Sequence, residues 1–174
     1  MLKKYFIFLL FLPISTTIFS QEYIFKNTCY IGGEVHTQSF DTIKSKEKLD
    51  LVFYNKHFNY YTPTFFPNQL VTKKKQIKPC ISKTKEGYIV EYFNEKNQLI
   101  KYSYDIQPGN FDVYIVYSNK DYPVFLVESF LNLGHVHNLI NSASYNLKYN
   151  TKGEIIYIEM TDYNKYICEL EKIN

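Results

Sequence analysis

The chain contains no arginine; all twenty of its basic residues are lysine. A bidentate clamp on phosphate or carboxylate needs the planar guanidinium fork, so that mode of recognition is excluded. Tryptophan is also missing, which removes the strongest stacking and cation–π platform. Alanine occurs once, at Ala143, while tyrosine, phenylalanine, isoleucine and valine are plentiful. That balance favours strands over helices. There is no GxSxG elbow, HExxH, P-loop, dinucleotide fingerprint or CxxC. The usual hydrolase, nucleotide, redox and zinc-ribbon templates therefore fail. Missing motifs do not exclude an enzyme, but they leave no catalytic residue to name, and nothing calls for a cofactor.

What is present begins with a leader. Lys3 and Lys4 precede an unbroken apolar run over residues 5–12, broken by Pro13 and followed by Ser15, Thr16, Thr17 and Ser20. This order matches a secretory signal peptide over residues 1–20. The run is shorter than the roughly 20 apolar residues a bilayer span needs. Ile18 stands where a small residue is preferred before a cut after Ser20, so cleavage after Thr17 and an uncleaved anchor remain alternatives. The nearest cysteine to the junction is Cys29, so a lipid-anchored product is not expected. Residues 21–174 then form a single domain, periplasmic or secreted, touching a membrane only through the leader. Without Lys3 and Lys4, 18 lysines face 17 acids, and this near-neutral balance gives no case for nucleic acid. In an oxidising compartment Cys29, Cys80 and Cys168 allow one disulfide in any of three pairings, or three buried thiols.

Along the mature chain, apolar residues alternate with polar ones at a period of two. Hairpins are predicted around Gly32-Gly33, around 94–97, around 118–121 and around 150–153, with a last strand over 166–170. Residues 49–54 read as a short strand and 55–87 as irregular, since Pro63, Pro67 and Pro79 disfavour central strands. The one helix candidate is 126–140, where Leu126, Phe130, Leu133, His137 and Ile140 follow helical spacing; a strand reading survives beside it. The expected fold is all-β, mostly antiparallel hairpins in a small barrel or sandwich with at most one short helix.

Two hairpins share a pattern. Phe93, Asn94, Lys96, Asn97, Leu99 and Ile100 line up with Tyr149, Asn150, Lys152, Gly153, Ile155 and Ile156. Such hairpins resemble those of the tyrosine-rich YD (Rhs-type) and MORN-like repeat proteins of bacterial surfaces. The likeness covers two short segments without a sustained period. Recurrence of the residues that tight turns require is the simpler account.

Three constellations are candidate sites. The aromatic–proline tract 53–67 offers Tyr54, His57, Tyr60, Tyr61 and Phe65 to an apolar or glycan ligand, or else folds over the sheet as core. Lys73, Lys74 and Lys75 open a basic stretch that either meets an anionic partner or is merely solvated. His135 and His137 would share one face of a strand and could ligate a metal, though a site needs a third ligand. Asp112, Asp121, Glu128 and Asp162 could pair in space, with nothing to single them out. The expectation is an exported bacterial envelope protein binding an unknown ligand or envelope partner without catalysis. A small, possibly metal-assisted hydrolase and a structural or assembly component are the alternatives.

Overall fold

Alternation at a period of two yields ten strands. They are β1 (Gln21–Ile31), β2 (Glu34–Ser45), β3 (Cys80–Lys83), β4 (Gly87–Phe93), β5 (Leu99–Ile106), β6 (Gly109–Tyr117), β7 (Pro123–Asn132), β8 (Leu139–Tyr149), β9 (Ile155–Asp162) and β10 (Ile167–Lys172). The computed structural model describes residues 20–63, 80–83, 87–106, 109–132 and 139–174. The expected leader lies outside the described residues apart from Ser20, and Phe65, Lys73, Lys74, Lys75, His135 and His137 lie wholly outside them.

All ten strands join one antiparallel sheet in the order β2-β1-β10-β9-β8-β7-β6-β5-β4-β3. From β3 to β10 the chain simply meanders, and the β1–β2 hairpin adds to the far side through β1 and β10. Cys29 and Cys168 are register partners across that seam and form the disulfide. The chain is all-β, as expected, with its described strands paired antiparallel in one sheet. Closure would need β2 to pair with β3, and among the described residues they are the two ends of one sheet. Alternation is the same in open and closed sheets, so the sequence could not separate them.

Four turns are built alike. The Asn94 N–H donates to Gln98 O at 3.0 Å and the Asn97 N–H returns to Asn94 O at 2.9 Å. The same two bonds recur between Asn150, Glu154 and Gly153, between Ser118, Tyr122 and Asp121, and between Asp162, Tyr166 and Lys165. In each turn the fourth residue is left-handed, with φ of 58° at Asn97, 63° at Asp121, 73° at Gly153 and 62° at Lys165. The leading side chain accepts from backbone N–H groups inside the loop, as Asn150 Oδ1 does from Lys152 and Glu154 at 2.9 and 3.0 Å. The repeated sequence pattern is thus turn chemistry, and it extends to two turns where the sequence likeness is partial or absent.

One face of the sheet is covered. The segment leaving β2 must reach β3 at the opposite end, and it crosses this face as a short helix, α1 (Leu51–His57), and a 3-10 turn (Asn59–Tyr61). The expected strand over 49–54 is therefore mostly helix. Asp50 accepts from the Val52 and Phe53 N–H groups and nucleates it, while Leu51, Phe53 and Tyr54 bury together. Phe25 packs edge-on against Tyr54 and Phe58 at centroid distances of 5.8 and 4.9 Å. The reverse correction applies to 126–140, whose described beginning is strand β7. Leu126 and Glu128 bury on the covered face between β6 and β8, and that pairing decides between two periods the apolar run satisfies equally.

Tyrosine hydroxyls stitch the hairpins together. Tyr117 donates to Leu99 O at 3.0 Å and Tyr149 to Pro123 O at 2.6 Å, each reaching the first residue of a neighbouring return strand. Tyr54 makes the corresponding bond to Ile155 O at 2.7 Å, and Leu49 O accepts the Ile155 N–H at 2.7 Å. The helix thereby completes for the β8–β9 hairpin what a strand tyrosine supplies for β4–β5 and β6–β7.

Candidate functional site

Among the described residues, the covered face carries a hollow that combines aromatic rings with inward polar groups. Val113, Glu128, Ala143 and Asp162 are successive register partners across β6, β7, β8 and β9. They form a row running across the strands, directly beneath residues 59–62. Ala143 carries only a methyl group, so the row dips between the two carboxylates. With a strand spacing of about 4.8 Å, the Glu128 and Asp162 Cα atoms stand about 10 Å apart. The hollow has a volume of about 310 Å³ and is lined by Asn59, Tyr60, Thr62, Phe111, Glu128, Phe130, Ser142, Ala143, Tyr145, Met160, Asp162 and Tyr163.

Each wall has a local cause. Phe111 and Phe130 stack at 4.1 Å with planes 21° apart. Gly109 makes room for that arrangement, since a Cβ there would lie 2.7 Å from the Phe130 ring and 2.8 Å from Leu131 O. Glu128 is 6% exposed and accepts the Tyr145 hydroxyl at 3.2 Å. Asp162 stands at the turn after β9, where its Oδ1 accepts the Asn164 and Tyr166 N–H groups at 2.9 and 2.8 Å. Tyr60, 49% exposed, and Tyr163, 57% exposed, stand at the rim.

Glu128 and Asp162 are the carboxylates among the described residues lining the hollow. No lysine or histidine among the described residues lines it. Burial pushes the Tyr145 hydroxyl above its ordinary range, and the Glu128 carboxylate adds to the effect. Tyr60 rises for the same reasons, burial first and then the charge of Asp162.

The residues singled out from the sequence are scattered by the fold. Tyr60 lines the hollow. Tyr54 is buried beneath α1 on Ile155, and Tyr61 is buried with its hydroxyl donated to Asn27 Oδ1. His57 ends α1 with its ring 4.6 Å from that of Phe53 and Nε2 3.8 Å from the Glu47 carboxylate. Of the four acids, Asp112 pairs with Lys101 at 3.1 Å on the opposite face and Asp121 with Lys96 at 3.0 Å in a turn. Only Glu128 and Asp162 converge. Among the described residues no group of three or more His, Cys, Asp or Glu is placed to hold a metal.

Sequence reasoning missed the floor and one wall of this hollow. Glu128 interrupts an apolar run at an inward position between Leu126 and Phe130, and Ala143 is the only alanine in the chain. Both anomalies are visible in the sequence, but only the register shows that they are neighbours. Comparison with protein-family models, with curated proteins and with solved structures finds no match.

Proposed function

We propose that this chain is an exported bacterial envelope protein that binds a small ligand without catalysis, in the hollow between residues 59–62 and strands β6–β9. The leader supports export, and the Cys29–Cys168 bond suits an oxidising compartment. The binding reading rests on one observation. A concave surface that mixes aromatic side chains with inward polar groups is the usual form of a small-molecule site, and 310 Å³ sits at the small end of such sites.

The test is a thermal-shift survey of small cations, anions, polyols and aromatic compounds, run on the native protein and on Ala143→Leu. The leucine fills the hollow without touching the covering segment's hydrogen bonds. A stabilising compound whose effect vanishes in Ala143→Leu supports the site. Shifts indifferent to the substitution place binding elsewhere, and no shift with any class at millimolar concentration ends the small-ligand reading.

An assembly role has its own observation. Strand β2 ends the sheet and is exposed along almost its whole length. However, its bulge opposite Cys29 and Tyr30 and its charged Glu34, Asp41 and Lys44 are the features that blunt an edge against pairing.

A further inference from the structure

We infer that β2 is an interface with a second copy of this chain, the two strands pairing antiparallel about a two-fold axis at Phe40. The inference is independent of the ligand reading, and each can fail without the other.

The first feature is the edge itself. Among the described residues β2 pairs only with β1, so one row of its backbone N–H and C=O groups faces outward. The strand also carries Phe40 at 60% exposure and Val35 at 58%, the most exposed large apolar side chains among the described residues. Pairing with another strand covers both kinds of group at once.

The second is where the blunting features lie. The register passes from Cys29–Thr37 to Tyr30–Val35 and skips His36, so the bulge sits before Thr37. Glu34 precedes it, and Lys44 stands near the far end of the strand. Residues 37–43 between them run in unbroken register with β1 and hold a single charge, Asp41. The edge is closed to most partners at its ends and open through its middle.

The third is self-complementarity. Ser39 and Asp41 are register partners of Asn27 and Phe25, so both lie on the face that α1 covers, and Phe40 lies on the other. A two-fold axis normal to the sheet keeps like faces together. Centred on Asp41, it would set two carboxylates directly opposite each other, which destabilises a strand pair. Centred on Ser39, it would set each Phe40 ring against the polar Gln38. Centred on Phe40, it sets ring against ring and each Asp41 opposite Ser39 of the second copy, whose hydroxyl can donate to the carboxylate. Thr37 then faces Ile43 and Gln38 faces Thr42, with no like charges opposed.

A stretch this short falls below the roughly 20–30 residues a side of a standard interface, so the dimer is expected to be weak. The experiment is sedimentation velocity on the full mature chain from micromolar to millimolar protein, with the melting temperature of each variant as the check on folding. The mass should double across that range. Phe40→Lys, at an exposed position, sets two cations opposite each other and should weaken dimerisation about tenfold. Ser39→Lys faces Asp41 of the second copy and should instead tighten it several-fold. Ser39→Asp, which opposes two carboxylates, should weaken it and carries the loss if Phe40→Lys folds poorly. A chain that stays monomeric at every concentration overturns the inference. A dimer indifferent to these substitutions joins through another surface and does the same. Weakening by Ser39→Lys as well as by Phe40→Lys would overturn the Phe40-centred register.

Discussion

Tyrosine is the residue through which this protein joins its parts. Tyr54, Tyr117 and Tyr149 each donate to a backbone carbonyl at the start of a return strand, while Tyr30 and Tyr157 converge on the Glu169 carboxylate at 3.0 Å each. Burial is the main reason the Tyr117 hydroxyl is pushed up to about 12, and it also raises Tyr54 and Tyr149 above the ordinary range. In the unfolded chain these groups titrate near pH 10. The unfolded state therefore loses their protons first, so stability is intact below about pH 10 and falls as pH rises through 12. Tyrosinate absorbance followed with circular dichroism should show the buried tyrosines ionising together with loss of the sheet. All 18 tyrosines titrating near pH 10 with the sheet intact would refute this. The abundance of tyrosine was legible in the sequence. The partners were not, because each hydroxyl reaches a residue distant along the chain.

At the scale of the element, local chemistry was readable wherever it was self-sufficient. Asn94 and Asn150 announce their turns because one side chain closes the loop from within. The α1 segment was harder, since residues 49–54 are apolar enough for a strand and the deciding feature is a single capping carboxylate. Asp50→Ala should lower stability by about 1 kcal/mol in urea melts, and Asp50→Asn by much less. Equal losses in the two would mean that the side-chain bonds to Val52 and Phe53 are not what holds the helix start. β7 shows the converse. Its apolar run fits both periods, and only its neighbours β6 and β8 make it a strand.

For the whole molecule, the seam between β1 and β10 matters most. It pairs the first described strand with the last, and the disulfide closes a loop with a separation of 139 residues. Constraining so long a loop in the unfolded chain is worth about 2–5 kcal/mol. Reduction, or Cys29→Ser with Cys168→Ser, should lower the melting temperature substantially while the β3–β10 meander keeps its signal longest. An unchanged melting temperature would deny the seam that role. By itself the sequence determined the all-β class, the hairpins and their turns, because alternation and turn chemistry are written in neighbouring residues. Tertiary structure decided the strand order, the cysteine pairing and the meeting of Glu128, Ala143 and Asp162 beneath Tyr60. Strand order and register join residues far apart in the chain, and no local pattern encodes which strand lies beside which.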